Sequence, residues 1–220
     1  MIELGNETIK IKIDLDNGAR LSSVKWNGYE FAVGFRGNPL TWGWFSMAPF
    51  AGRIRNGIIK DSKGNSFQLP NNSHPPHAVI GFGATSKWED LGNGTQILKL
   101  PEPFNGASVI QNFSIKNNSI RWALEFQAKS CDLPVTLGFH PWIARNIGFG
   151  PNAQINFSAK KMFKRGVDYL PTGELIEPTP PPWDDTFTEL VNIPEIIWPG
   201  IAKLQMKADS PYFMLYSQDS

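Results

Sequence analysis

Histidine is scarce in this chain, three in 220 residues, so the setting of each one carries weight. The imidazole is the side chain whose ordinary pKa lies nearest neutrality, so it can give and take protons or ligate a metal. His74 and His77 stand in HPPHAVIGFG, residues 74–83, a proline-rich loop running into a Gly-Phe-Gly turn. Their His-x-x-His spacing suits a metal when a rigid helix presents both rings, and no helix is predicted there, so no metal site is expected. His140 closes the other notable stretch, DLPVTLGFHPWIAR, residues 132–145. Val135, Leu137 and Phe139 alternate as one face of a strand, and Pro141 cannot donate to a ladder, so pairing should falter and leave His140 at a sheet rim. Trp142 lies two residues on and can share that face. An indole covers the apolar C–H face of a sugar while an imidazole meets hydroxyls; the plainer alternative is a capped rim histidine beside a core tryptophan.

Two further stretches carry charge at suggestive spacing. In SMAPFAGRIRNGII, residues 46–59, Arg53 and Arg55 flank Ile54, so an extended backbone puts both guanidiniums on one face. They are either solvated strand charges or a fixed donor fork for a polar ligand. In PPPWDDTFTELV, residues 180–191, Asp184 and Asp185 either cap a short helix or accept from ligand hydroxyls. The chain holds no phosphate-binding glycine loop, no dinucleotide fingerprint and no Gly-x-Ser-x-Gly elbow, so no nucleotide cofactor is expected.

The elements that must position these residues are strands. Ile9, Ile11 and Ile13 alternate with Lys10 and Lys12, the pattern of a half-buried strand, and Asp16-Asn17-Gly18 then turns the chain back into Leu21–Trp26. Lys60–Gln68 is predicted as strand, turn, strand. Residues 109–115 and 120–126 flank Lys-Asn-Asn-Ser, a hairpin signal, and residues 135–139 and 213–216 are further strand candidates. Helical signals are confined to Asp185–Val191, where a turn or two is expected. The fold class is therefore all-β, a large antiparallel sandwich, expected as a single domain over 1–220. Net charge is +1, which supplies no field for nucleic acid. The one cysteine, Cys131, excludes an internal disulfide framework. No apolar run approaches the roughly 20 residues of a membrane-spanning helix, and the N-terminal residues show no signal-peptide pattern. A cytoplasmic setting without membrane contact is expected.

Taken in order, these stretches resemble the aldose 1-epimerase (galactose mutarotase) family. The matching pieces are Pro-Phe-Ala-Gly-Arg-Ile-Arg-Asn-Gly (49–57), His-Ala-Val-Ile-Gly-Phe-Gly (77–83) with Trp88 beyond, and Pro-Val-Thr-Leu-Gly-Phe-His-Pro-Trp (134–142). Leu170-Pro-Thr-Gly-Glu, Trp183-Asp-Asp-Thr-Phe and Trp198-Pro-Gly follow. The resemblance implies a galactose mutarotase-like supersandwich and the interconversion of α and β anomers of a hexose, without a cofactor. It implies His140 as the catalytic acid, Arg53 and Asp184 as sugar-binding residues, Trp142 as a cleft aromatic, and His77 as a further candidate for substrate contact. Two positions depart from the pattern. Ile80 stands where the family carries a histidine, and the family's general-base glutamate, which follows the last strand in a Glu-Pro context, has no counterpart after Tyr216; Glu174 and Glu177 do not match it. These departures predict a C-terminally shortened member lacking its last strands, with a sheet edge that a homodimer would cover. They also keep two alternatives open: a non-catalytic carbohydrate-binding protein, and a hexose-6-phosphate 1-epimerase-like enzyme using Arg55 or Lys87 as a second cation.

Overall fold

The structure, a computed structural model, describes residues 1–217, which pack as two compact units, one from Met1 to Ala144 and one from Arg145 onward. In the first, β1 (Ile2–Gly5), β2 (Ile9–Asp14), β3 (Arg20–Trp26), β4 (Tyr29–Glu30) and β5 (Trp44–Met47) belong to one antiparallel sheet. Then come β6 (Arg53–Ile54), β7 (Ile58–Lys60), β8 (Ser66–Gln68) and β9 (Ala78–Val79), with β7 paired to β8 and β6 to β9. A second sheet consists of β10 (Glu89–Gly92), β11 (Thr95–Lys99), β12 (Ser108–Lys116) and β13 (Ser119–Gln127) in that order. β14 (Gly138–Pro141) returns to the first sheet, whose order is β1-β2-β3-β5-β14 with β4 alongside β3.

The alternation in β2 does what its pattern requires. Ile9, Ile11 and Ile13 are buried while Lys10 and Lys12 are exposed. Each such isoleucine contributes roughly 1.5–3 kcal/mol of burial. Asp14 then accepts from the Asp16 amide at 3.3 Å and opens a 3₁₀ turn, Leu15–Asn17. Gly18 ends the turn at φ 83°, where a Cβ would run into the Ala84 carbonyl. The β12–β13 hairpin pairs from Ser108↔Gln127 to Lys116↔Ser119 around a two-residue tip, with Asn117 at φ 53°, a conformation asparagine tolerates.

The two larger sheets of this unit are joined through an amide. Gln111, fully buried on β12, accepts from Ser46 Oγ of β5 and from Trp122 Nε1, the latter at 3.0 Å. Its amide nitrogen donates to the Ala19 carbonyl at 2.8 Å and to Gln96 Oε1 at 3.2 Å. Those contacts meet the requirement that a buried amide be hydrogen-bonded.

In the second unit, β15 (Gln154–Asn156), β16 (Ala159–Arg165), β17 (Pro171–Ile176), β18 (Asp184–Leu190), β19 (Glu195–Trp198), β20 (Ala202–Gln205) and β21 (Tyr212–Tyr216) form two antiparallel sheets, β17-β16-β18-β21 and β15-β19-β20. Phe157, Phe187 and Phe213 anchor its core, with Phe157 edge-on to Phe187 at 4.8 Å and stacked on Phe213 at 5.5 Å.

Three local expectations need correction. Asp185–Val191 is not helical: β18 takes Asp184–Leu190 and pairs with both β16 and β21. Thr186, Phe187 and Thr188 favour a pleated surface, and two partner strands decide the matter over the capping signal. The strand before His140 begins at Gly138 rather than Val135, because Thr136 is held by loop contacts, its amide donating to the Pro49 carbonyl and its hydroxyl accepting from the Ala51 amide, both at 3.0 Å. Nor does pairing stop at Pro141. It lies opposite Trp44, and the Trp142 amide donates to the Gly43 carbonyl at 3.0 Å. β14 ends the row of strands, where a missing N–H is tolerated. Among the described residues no helix is long and apolar enough to cross a membrane.

Candidate active site

His140 sits opposite Phe45 in the β14–β5 register, so the two side chains emerge from the same face of the sheet. Their rings stack at 4.6 Å with planes 19° apart, and the Trp142 indole lies 5.4 Å from the imidazole at 30°. The imidazole is bracketed by two aromatic faces, and Trp142 is itself fixed through Nε1, which donates to the Leu40 carbonyl at 2.8 Å. Burial pushes the His140 pKa down to about 4, with the Arg20 charge adding in the same direction. The imidazole is therefore neutral at pH 7, with on the order of one molecule in a thousand protonated.

Behind Phe45 is a residue the sequence did not single out. Arg20, at 0% exposure, donates from Nε to the Asn17 carbonyl at 2.6 Å, from Nη1 to the Trp42 carbonyl at 2.7 Å and from Nη2 to the Ala84 carbonyl. Its guanidinium carbon lies 4.4 Å from the Trp42 ring and 4.9 Å from the Phe45 ring. Desolvation lowers its pKa to about 10, with Asp14 opposing that shift. The local signal was slight, one cation at the head of a strand. Its position beside Phe45 comes from strand register, which local pattern does not reveal.

Ile80 also belongs to this bracket. It is buried with Phe45, Val79 and Ala84, and Trp142 packs against the same cluster. Its backbone stands at φ 54°, an outlier for a β-branched residue, held by its amide on the Gly52 carbonyl at 2.7 Å. Where the resemblance expects an imidazole, the structure has a strained, buried hydrocarbon.

Arg53 lies on β6 opposite Val79, the neighbour of Ile80. Arg55 does not share its strand, contrary to the extended reading, because a 3₁₀ turn spans Arg55–Gly57 with Asn56 at φ 54°. That turn is fixed from two sides: the Asn56 amide donates to His77 Nδ1 at 3.1 Å, and Gln68 Nε2 donates to the Asn56 carbonyl at 3.2 Å. His77 is buried, and this hydrogen bond commits its Nδ1 as an acceptor. His74 Nδ1 meets Ser73 Oγ at 2.9 Å. Among the described residues no group of three His, Cys, Asp or Glu side chains is placed to hold a metal ion.

Asp184 belongs to the second unit and opens β18. Its Oδ2 accepts from Arg165 Nη1 at 2.8 Å, and the same nitrogen reaches its carbonyl at 2.9 Å. Asp185 Oδ1 lies 3.8 Å from Arg165 Nε, and the guanidinium sits 5.5 Å from the Tyr169 ring. Phe163, Tyr169 and Met214 are among the residues that line a small cavity of about 40 Å³ at this cluster.

The family model for aldose 1-epimerase matches residues 1–198. This chain belongs to the aldose 1-epimerase family. A galactose mutarotase-like protein from Clostridium acetobutylicum superposes with a TM-score of 0.74 at 15% identity, over 89% of this chain and 73% of its own. The GalM/aldose epimerase homologue from C. elegans gives 0.73 at 16%, over 98% of this chain and 80% of its own. No curated protein matches the sequence. At these identities the superpositions establish the fold of this aldose 1-epimerase family member, which is all-β and galactose mutarotase-like.

Proposed function

We propose that the chain interconverts the α and β anomers of a hexose by acid–base ring opening. His140 transfers the proton, Arg53 hydrogen-bonds the sugar hydroxyls, and Trp142 covers a C–H face, while Asp184 is engaged by Arg165 within its own unit. The observation that carries this reading is the imidazole bracketed between Phe45 and Trp142 in a family member. Ring opening removes a proton from the anomeric hydroxyl, makes the C1–O1 bond a carbonyl, breaks C1–O5 and places a proton on the ring oxygen. A neutral imidazole begins as the acceptor. Once charged by the anomeric proton it can return that proton to the ring oxygen, which conserves protons over the step. Closure on the other face of the aldehyde reverses these transfers. His77 holds the turn that follows Arg53.

Polarimetry of freshly dissolved α-glucose or α-galactose tests this. The protein is expected to bring the rotation to equilibrium faster than buffer. His140→Asn should reduce that acceleration by about 10²–10⁴-fold, whereas Arg53→Ala should act mainly by weakening sugar binding. The second reading, carbohydrate binding without turnover, is favoured by Ile80, whose side chain puts hydrocarbon against the bracket. Saturable sugar binding with no acceleration over buffer would establish it in place of the first. A preference for hexose 6-phosphate over the free sugar would instead point to a second cation, Arg55 or Lys87, the latter paired at the surface with Asp16 at 2.7 Å.

A further inference from the structure

A fully buried charge is costly to desolvate, by several kcal/mol per ion, unless the site compensates it. Arg20 has such a site, but not a carboxylate: its three hydrogen-bond partners are the main-chain carbonyls of Asn17, Trp42 and Ala84. Those bonds tie three segments together and would suffice for a structural role. They also hold the flat guanidinium in one plane, and that plane lies against the Phe45 ring. Leu21 opposite Trp44 sets the β3–β5 register and brings Arg20 beside Phe45, while His140 stands opposite Phe45 on the other flank. Arg20, Phe45 and His140 thus form a row across three adjacent strands, at 4.9 Å and then 4.6 Å.

Resting on the reading of His140 as the proton-transfer group, we propose that Arg20 is a positioning residue for it: through Phe45 it fixes the plane of the imidazole and sets a permanent positive charge behind it. β5 offers Trp44, Phe45, Ser46 and Met47, none charged, and β9 with Ile80 offers only hydrocarbon. β6 carries Arg53 on the neighbouring pair, and Asp14, at the end of β2, acts on Arg20. Arg20 is the charge whose field reaches the imidazole, and it acts with burial to disfavour the imidazolium.

The test is an NMR titration of the His140 ring in the full chain, assigned with His140→Asn, and it requires no turnover. Arg20→Gln removes the charge while keeping an amide group for part of the carbonyl set, so the His140 pKa should rise by about one unit. Arg20→Lys keeps the charge and should leave the pKa in place, while the loss of the flat contact on Phe45 moves the ring-current shifts of the His140 protons. An unchanged pKa in a folded Arg20→Gln protein overturns the proposal. Should Arg20→Gln not fold, unchanged ring shifts in Arg20→Lys overturn it. A raised pKa in Arg20→Gln alongside a wild-type protein without anomerase activity would remove the catalytic reading and leave the Arg20–His140 coupling standing.

Discussion

His140 titrates in a setting that gives the folded protein a measurable acid sensitivity. Its pKa is about 4 against an ordinary 6.5, so below pH 6.5 the unfolded chain binds a proton that the folded chain refuses. Stability is therefore intact above pH 6.5 and falls as the pH drops towards about 4, by up to roughly 3 kcal/mol in total from this group. Denaturant unfolding of the wild type and of His140→Phe at several pH values from 6.5 to 5 checks this, and the variant should lose most of the slope. Among carboxylates, Glu195 is pulled to about 2 by Gln205, Asn156 and Lys203, so it titrates well below that window. His140 and its aromatic neighbour were legible in the sequence because a histidine at a strand end before Pro-Trp is a local pattern. Arg20 was not, since its meaning lies in a register between strands distant in sequence. Ile80 was legible as a missing imidazole, but not as a residue at φ 54°.

At the scale of elements, β2, the β12–β13 hairpin and β21 were readable because alternation and turn residues are local. β18 was misread because Asp184-Asp185 is equally a helix start and a strand start, and only two flanking strands distinguish them. The Arg55 turn was missed for a similar reason, being made by His77 and Gln68 from other segments. The sharpest constraint among these elements is where the Gly81 turn passes Ala48. The amides of Phe82 and Gly83 donate to the Ala48 carbonyl at 2.7 and 2.9 Å. Gly81 itself stands at φ 70°, and a Cβ there would overlap that carbonyl and approach Pro49 N at 2.9 Å. Gly81→Ala should cost roughly 2–4 kcal/mol, from left-handed strain plus overpacking. The midpoint of urea unfolding reads this directly, and a midpoint equal to the wild type would show that the turn can shift aside.

At the scale of the whole chain, the two units meet in sequence at Arg145. The stretch that follows holds no strand before Gln154, and Phe149 in it is 65% exposed. Exposed segments of this kind are where proteases cut first. Limited chymotrypsin digestion should nick the chain at Phe149 before any strand, giving a larger N-terminal fragment and a smaller C-terminal one; first cleavage inside a paired strand would contradict this division. The buried amide of Gln111 has a consequence of another kind. Sliding β12 by two residues past its neighbours would keep the same face inward but carry Gln111 away from Ser46 and the Ala19 carbonyl, leaving their polar atoms sealed from water with nothing to bond. Because a two-residue step puts Val109 or Phe113 where Gln111 stood and leaves hydrocarbon facing hydrocarbon, the apolar residues of the strand resist such a slip only weakly. The glutamine works as a key cut for one alignment, and what it adds is less strength than the rejection of every near miss.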